Sequence, residues 1–220
     1  MFYKIDSINT IIKRMIKSFT SILFRLTNLN VKVIIGNNSL IYHSKVNTKR
    51  FFNKNNIRIG NNVNIINCTF NLYGSSNDII IEEGAKLDNV TFWIEDNQNL
   101  IKIGKKTTFH GTCQLAACEG TAIQIGNDCM FSHDIYIRTT DSHSIIKNNK
   151  RINKARNIII GNHVWIGMQT LILKGSNIPD GCIIGARSTI SSSDMEKKCI
   201  YAGHPIKLIN KEIEWKRERI

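Results

Sequence analysis

The sequence predicts an all-β solenoid with a short helix at each end, and three observations carry this prediction. Isoleucine–glycine pairs recur along the chain, and from Ile160 to Ile190 an aliphatic residue returns at every sixth position. The residue two positions earlier is small almost everywhere. A period of six fits neither an α-helix nor a simple strand of period two. It fits short strands joined by tight corners, with three strands to a coil.

The solenoid is predicted over residues 31–208. Ile59, Ile81, Ile103 and Ile125 are each 22 positions apart, whereas three clean hexapeptides need 18, so the earlier coils carry about four extra residues. The beat that starts at Ile81 also predicts an inward side chain at Trp93. Glycine and asparagine often follow the inward isoleucine, which favours corners with positive φ.

The cysteines fit the same pattern. Cys113, Cys129 and Cys182 fall on the small inward position, where a free cysteine packs as a small hydrophobic side chain. The chain has six cysteines and no CxxC pair, which favours a cytosolic protein with reduced thiols over a disulfide framework or a zinc ribbon.

One long insertion interrupts the repeat. Between Ile137 and Ile160 lie 23 steps where six would suffice, so about 17 residues, roughly 139–156, form an extruded loop. Long loops inside a regular scaffold are usually functional or disordered. This loop is polar and basic, so it binds coenzyme phosphates or an acidic polymer, or it is simply a solvated face.

The two ends differ from the solenoid. Residues 1–30 are predicted to hold an amphipathic basic helix over 4–27, which either covers the open end of the solenoid, packs on a neighbouring subunit, or attaches weakly to an anionic membrane surface. Residues 209–220 are predicted to form a short capping helix. Lys13, Arg14 and Lys17 interrupt the first apolar stretch, which argues against a signal peptide and for a cytoplasmic protein, with peripheral contact at the inner face of the membrane as a further expectation.

The charge balance predicts an anionic partner. Thirty Lys and Arg residues against 17 Asp and Glu give a net charge of +13, which suits nucleic acid, a membrane surface, an acidic glycan or a phosphorylated cofactor. The sequence shows no nucleic-acid-binding module, so nucleic acid is not the expected partner.

Four features stand in one order: the hexapeptide run, the loop segment Asp141-Ser142-His143, the stretch IGNHVWIG over 160–167, and YAGHP over 201–205. Together they resemble the hexapeptide-repeat acyltransferases, in the branch of galactoside, maltose and capsule or O-antigen O-acetyltransferases. The resemblance is strong over residues 100–210 and rests on the repeat alone over 30–100. It implies a left-handed parallel β-helix, a homotrimer with active sites between neighbouring prisms, and transfer of an acetyl group from acetyl-CoA to a sugar hydroxyl of a cell-surface polysaccharide.

The resemblance also implies roles for residues around the acceptor. His143 matches the general base, since a neutral imidazole accepts a proton near pH 7 and direct transfer needs no protein nucleophile. Asp141 either belongs to the acceptor site and orients His143, or it is an exposed turn residue. His110 matches an acceptor-binding position, with a plain surface histidine as the alternative.

The remaining matches concern the coenzyme. Trp165, predicted to point outward, matches the wall of the cleft, with packing at a subunit interface as its other use. Main-chain groups at Gly167 and Met168 match positions near the thioester, and Ala186 and Ser191 match contacts to pantetheine. Lys207 matches a contact to coenzyme phosphate. The resemblance implies no metal.

Other functions stay open at this point. The acceptor could be a small sugar or a nucleotide sugar instead of a polysaccharide. A metal enzyme of the γ-carbonic anhydrase type would need His110, His133 and His143 around one zinc, although their spacing does not match that family. A non-catalytic binder of anionic polymers would use the net charge alone.

Overall fold

The repeat folds into a three-sided parallel β-helix, which the computed structural model describes over residues 19–24, 30–49, 51–191 and 193–219. Each complete coil adds one strand to each of three faces, and every strand of a face, apart from the last strand of the second face, pairs in parallel with the strands of the neighbouring coils. This confirms the fold class that the six-residue beat predicts.

The strands are numbered in chain order and grouped by face. The first face contains β1 (Lys32–Ile35), β4 (Asn56–Ile59), β7 (Asp78–Ile81), β10 (Leu100–Ile103), β13 (Ala122–Ile125), β18 (Ile158–Ile160) and β21 (Asn177–Ile178). The second face contains β2 (Leu40–Tyr42), β5 (Asn64–Ile66), β8 (Lys86–Asp88), β11 (Thr108–Phe109), β14 (Met130–Phe131), β19 (Trp165–Ile166), β22 (Ile183–Ile184), β24 (Ile200–Ala202) and β25 (Lys207–Asn210). The third face contains β3 (Lys45–Thr48), β6 (Thr69–Tyr73), β9 (Val90–Glu95), β12 (Cys113–Cys118), β15 (Ile135–Arg138), β20 (Leu171–Ile172) and β23 (Thr189–Ile190). A separate hairpin joins β16 (Ile146–Lys147) and β17 (Lys150–Arg151).

In the core, inward side chains of the same residue type stack on one another from coil to coil. On the first face one register runs through seven isoleucines: Ile35, Ile59, Ile81, Ile103, Ile125, Ile160 and Ile178. On the second face the rings of Phe109 and Phe131 are stacked with centroids 4.2 Å apart. Burial of these apolar stacks is the main favourable contribution to the stability of the solenoid.

The third face explains the longer early coils and corrects one inward assignment. Strands β9 and β12 have six residues each, whereas β20 and β23 have two, so the extra residues lengthen this face. The corner after β8 is one residue shorter than a six-residue repeat requires. Phe92 therefore points inward and is fully buried, and Trp93 points outward and is half-buried.

The small positions are buried as predicted, and they include cysteines. Cys113, Cys129 and Cys182 are at most 1% exposed, and all six cysteines of the chain are buried free thiols. This confirms their role as packing side chains.

At the N-terminal end, only residues 19–24 of the predicted helix are described, and they are helical. The Phe24 ring packs edge-on against Phe70 at 6.0 Å, and the Ser21 hydroxyl donates to the Ser39 carbonyl at 3.0 Å. These contacts place the described turn against the first coils, as a cap would lie; the rest of 1–30 lies outside the described residues. In the part of the chain that the structure describes, no helix is long and apolar enough to cross a membrane.

At the C-terminal end, the predicted helix over 209–220 is wrong. Residues Lys207–Asn210 form β25, which pairs antiparallel with β24, and residues 211–219 contain no helix. The tail instead docks on the solenoid through Trp215 and Arg217. These contacts stabilise the extended tail more than helix formation would, because the helix propensity of the segment is modest.

The close stacking of coils predicts an unequal response to two glycine-to-alanine substitutions. A Cβ at Gly126 would lie 2.5 Å from the Gly161 carbonyl oxygen, a backbone atom of the next coil that cannot move aside. We expect Gly126→Ala to lower the free energy of unfolding by about 3 kcal/mol. Gly120→Ala is the control, because its Cβ would meet nothing nearer than 3.7 Å and only its φ of +71° is strained, at about 1 kcal/mol. Equal shifts of the two denaturation midpoints would contradict this packing argument.

Candidate active site

The extruded loop leaves the edge between the third and first faces. Thr139 and Thr140, which follow β15, are buried, whereas residues 141–150 are exposed. The loop carries the β16–β17 hairpin and returns to the solenoid at β18. At its base the Arg156 N–H donates to the Thr139 carbonyl at 3.0 Å, which closes the loop on itself.

One anchor of the loop is a charged cluster on the preceding coil. The Arg151 guanidinium donates to both oxygens of the Glu119 carboxylate, at 2.6 and 2.8 Å. The Thr140 hydroxyl donates to the same carboxylate at 2.5 Å. The hydrogen bonds from Arg151 and then Thr140 lower the pKa of Glu119, so the carboxylate is charged at neutral pH.

A second anchor is built around Asn153, which is 8% exposed. Its side-chain NH₂ donates to the Asp141 carboxylate at 2.8 Å and to the His143 carbonyl at 2.7 Å, and its oxygen accepts from the Ile145 N–H at 2.7 Å. The Lys174 ammonium donates to the same Asp141 carboxylate. The hydrogen bonds from Lys174 and then Asn153 lower the pKa of Asp141. One buried amide thus ties together both sides of the loop.

His143 sits where these anchors hold the backbone. Its N–H donates to the Asp141 carbonyl at 2.8 Å and its carbonyl accepts from Asn153, while the residue is exposed. The imidazole makes no hydrogen bond within the described part of the chain. Asp141 therefore anchors the backbone beside His143 and does not contact the imidazole itself.

Four of the predicted coenzyme and acceptor positions lie together on a different edge of the solenoid from the loop. Gly167, Met168 and Ala186 occupy the edge between the second and third faces on successive coils, and His110 lies on the same edge two coils earlier and is exposed. A Cβ at Gly167 would come within 2.6 Å of the Ala186 backbone nitrogen, so packing between coils alone requires glycine there. The Gly167 N–H donates to the Ile184 carbonyl at 2.8 Å. The Met168 N–H donates to no acceptor in the described chain, and its side chain is 40% exposed.

Trp165 points outward from the second face and is 38% exposed. Two further predicted positions lie apart from it. Ser191 follows β23 at the edge between the third and first faces and is exposed, and Lys207 is an exposed residue of β25. The structure therefore does not gather all of the predicted coenzyme contacts into one patch of a single chain.

The C-terminal tail adds an aromatic residue that the sequence pattern does not single out. The Trp215 ring lies 6.0 Å from Trp165 and stacks on His163 at 4.0 Å. The His163 imidazole bonds to the Asp128 carboxylate at 2.7 Å, and Arg217 donates to the same carboxylate at 2.8 Å. Burial alone would raise the pKa of Asp128, but the hydrogen bonds from His163 and Arg217 lower it.

No local pattern identifies Asn153, Glu119 or Trp215 from the sequence. Asn153 and Arg151 are ordinary polar loop residues, and Glu119 is separated from Arg151 by 32 positions. The sequence places Trp215 in the predicted terminal helix. Only the structure shows that the tail crosses the second face. One sequence signal could indicate docking: Trp215, a residue type that is usually buried, has eleven mostly charged neighbours in this segment.

The described residues outside the loop hold neither a reactive thiolate nor a metal cage. Burial raises the pKa of the Cys113, Cys118 and Cys129 thiols to about 11, so they are protonated at neutral pH. Among the residues that the structure describes, no group of three His, Cys, Asp or Glu side chains could hold a metal ion, and this includes His110, His133 and His143.

Comparisons with known proteins address the family. No protein-family model matches the chain. A polysialic acid O-acetyltransferase of Neisseria meningitidis is 33% identical over 195 residues, which are 88% of this chain and 82% of that protein. The crystal structure of the polysialic acid O-acetyltransferase OatWY aligns with a TM-score of 0.79 and 31% identity over 87% of this chain and 90% of that one. The structure of the polySia-specific acetyltransferase NeuO aligns with a TM-score of 0.55 and 25% identity over 86% and 88% of the two chains.

The repeat, the loop and these relatives agree. The alignment to a polysialic acid O-acetyltransferase extends over 88% of this chain, so the likeness is not confined to a few repeats. The chain belongs to the hexapeptide-repeat acetyltransferases, in their capsule and O-antigen branch, and is an acyltransferase that uses acetyl-CoA as co-substrate.

Proposed function

We propose that this enzyme transfers the acetyl group of acetyl-CoA directly to a hydroxyl of an acidic cell-surface polysaccharide, with His143 as the general base. The observation that carries the proposal is an exposed imidazole on a loop whose backbone is held on both sides by a buried amide. Relatives that match most of the chain are named for polysialic acid, an acidic polymer. The net charge of +13 supports an acidic acceptor in this chain as well.

Direct acetyl transfer to a hydroxyl needs only a general base and a hydrogen-bond donor from the protein. A sugar hydroxyl must lose its proton as its oxygen attacks the thioester carbon, and in this proposal His143 accepts that proton. The negative oxygen of the tetrahedral intermediate needs a hydrogen-bond donor. The Met168 N–H suits this task because it has no partner in the described chain, whereas the Gly167 N–H already bonds to Ile184.

Direct transfer agrees with the state of the thiols. An acyl-enzyme would need an accessible thiolate or an activated hydroxyl, and the cysteines are buried and protonated. In this proposal the coenzyme lies along the edge that carries Met168 and Ala186, with Trp165 as one wall. Trp215 backs that wall from the C-terminal tail.

The separation of the two groups of residues supports a site shared between copies of the chain. His143 projects from the edge between the third and first faces, whereas Trp165 lies on the second face. A loop that projects outward meets a neighbouring copy more easily than the far side of its own prism. We therefore propose a homotrimer in which the loop of one protomer supplies the base and the next protomer supplies the coenzyme wall.

Single and mixed variants test the base and the shared site together. His143→Asn should lower kcat at least about 100-fold, which is the usual contribution of a general base. Trp165→Ala should raise KM for acetyl-CoA about 10-fold. Co-assembly of the two variants should restore part of the activity, because some interfaces then combine an intact loop with an intact wall.

The matched control is His43→Asn, an exposed histidine on the first coil with a φ of 48°, which asparagine accepts. The measurement is release of coenzyme thiol with an acidic polysaccharide as acceptor. Full activity of His143→Asn would refute the assigned base, and mixtures that stay inactive would refute the shared site.

The Asn153 amide is predicted to act through His143. Asn153→Asp removes both N–H donors and puts a second carboxylate against Asp141, at a cost of at least about 2 kcal/mol. We expect kcat to fall more than 10-fold, KM for acetyl-CoA to change less than about 2-fold, and tryptic cleavage within 147–151 to accelerate. Asn97→Asp is the control, because its side-chain oxygen alone is used, as acceptor of the Ser75 N–H at 2.7 Å. Identical behaviour of the two variants would contradict this positioning role.

The loop anchors predict a dependence on pH. The pKa values of Glu119 and Asp141 lie below their ordinary values of 4.5 and 3.8. Groups with lowered pKa stabilise the folded loop fully above the ordinary values and lose that contribution as pH falls through the lowered ones. Amide protection of residues 142–153, corrected for intrinsic exchange rates, should therefore be constant from about pH 7 to pH 5 and fall only below about pH 4.

Glu119→Gln is the companion variant for this measurement. It removes the charge that pairs with Arg151, so protection should already be lower at neutral pH and should vary less with acid. Far-UV circular dichroism at each pH verifies that the solenoid itself stays folded. Protection that declines between pH 7 and pH 5 in the unmodified chain would contradict the assignment to these carboxylates.

A further inference from the structure

An open groove of about 280 Å³ lies on the outer surface of the third face, beside the extruded loop. Its volume is close to the lower end of the range for small-molecule sites. The residues that matter for its chemistry are Trp93, Glu95, Gln114, Tyr136, Arg138 and Ser142. Ser142 precedes His143 in the chain, so the groove borders the segment that carries the proposed base.

Arg138 supplies an unpaired positive charge to this groove. One terminal nitrogen of its guanidinium donates to the Ser142 hydroxyl at 2.7 Å, and the buried Nε has no hydrogen-bond partner in the described chain. No carboxylate among the described residues pairs with it in an ion pair. The buried Nε cannot reach a ligand, but the remaining N–H groups of the two terminal nitrogens are suited to bind a carboxylate through two parallel hydrogen bonds.

The floor and wall of the groove have the shape for a ring. Trp93, Ala116 and Arg138 occupy one outward row on three successive strands. Two strand spacings separate the Cα atoms of Trp93 and Arg138 by about 10 Å. The small Ala116 side chain, which is 3% exposed, forms the floor between them. The Trp93 ring is steadied by Tyr73, whose ring meets it edge-on at 5.1 Å. An aromatic face of this kind packs against the apolar face of a sugar ring.

The polar groups at the two ends of the groove differ in sign. The Arg138 guanidinium lies at one end, with the Tyr136 ring 5.7 Å from its central carbon. Near Trp93 lies the exposed Glu95 carboxylate, which accepts the Trp93 indole N–H at 3.4 Å. A carboxylate accepts hydrogen bonds from sugar hydroxyls and repels a second anion. The groove is therefore suited to a ring with one carboxylate at one end and hydroxyls at the other.

We propose that this groove binds one carboxylate-bearing sugar unit of the acceptor, with the carboxylate on Arg138 and the ring against Trp93. The inference rests on the proposed function, in which the acceptor is an acidic polysaccharide, and it names the site that recognises the acid. The sugar unit then lies beside Ser142, in the same protomer as the base that deprotonates the attacking hydroxyl.

Calorimetric titration without acetyl-CoA tests the site directly. The probes are an oligomer of sialic acid and the same oligomer with its carboxyl groups reduced to alcohols. The full chain should bind the acidic oligomer at least about 10-fold more tightly. Arg138→Gln should abolish that preference, whereas Arg58→Gln, which removes the same charge from the outer surface of the first face, should retain it.

Trp93→Leu provides a second variant that does not touch the loop. It should weaken binding of both oligomers about 10-fold and leave the preference for the acid intact. Equal binding of the two oligomers by the unmodified chain, or an undiminished preference in Arg138→Gln, would overturn the proposal. If the chain acetylates the acidic glycan while Arg138→Gln keeps its preference, the groove assignment fails and the proposed function stands. If no glycan is acetylated, the proposed function fails, and the titration still decides whether the groove binds the acid.

Discussion

The structure depends on the direct stacking of equivalent residues from coil to coil. Each parallel strand pair sets Cα atoms in register, so an inward isoleucine lies on an inward isoleucine and a corner lies on a corner. This repetition buries a continuous apolar column and leaves little room at the corners. Gly126 and Gly161 approach so closely that a single added carbon would collide with backbone. The corner glycines are therefore a consequence of packing, and one of them, Gly167, also lies beside the proposed coenzyme edge.

A rigid column has few places for chemistry, and in the proposed function the extruded loop supplies one. The loop has almost no apolar core of its own, and residues 141–150 are exposed. It is ordered by the Glu119–Arg151 and Lys174–Asp141 ion pairs to the column and by hydrogen bonds of the Asn153 amide within the loop. Polar anchors hold a defined backbone while the side chain of His143 stays accessible. In the proposed function, this arrangement gives the loop the fixed geometry that proton transfer to His143 needs.

The outer faces of the column divide the proposed work between them. The edge with Met168 and Ala186 follows the stacking direction, which suits an extended coenzyme arm. The third face, with its longer strands, presents Trp93 and Arg138 beside the loop. The C-terminal tail crosses the second face and sets Trp215 near Trp165. Extra residues in the early coils, which look like irregularities in the repeat, thus build the surface on which an acceptor can lie.

Local sequence determined the solenoid, because a six-residue beat of large and small inward residues is a short-range pattern that only one kind of coil satisfies. The positions of the inward isoleucines, of Cys113, Cys129 and Cys182, and of the inserted loop all follow from it. The repeat predicted the wrong inward residue where a corner is one residue shorter, because Phe92 and not Trp93 points inward there. Only the tertiary structure decided the contacts between distant segments: Arg151 with Glu119, Asn153 with His143, and Trp215 with His163. Those contacts join residues that no local period relates, and in the C-terminal tail they outweigh the helical preference of the segment.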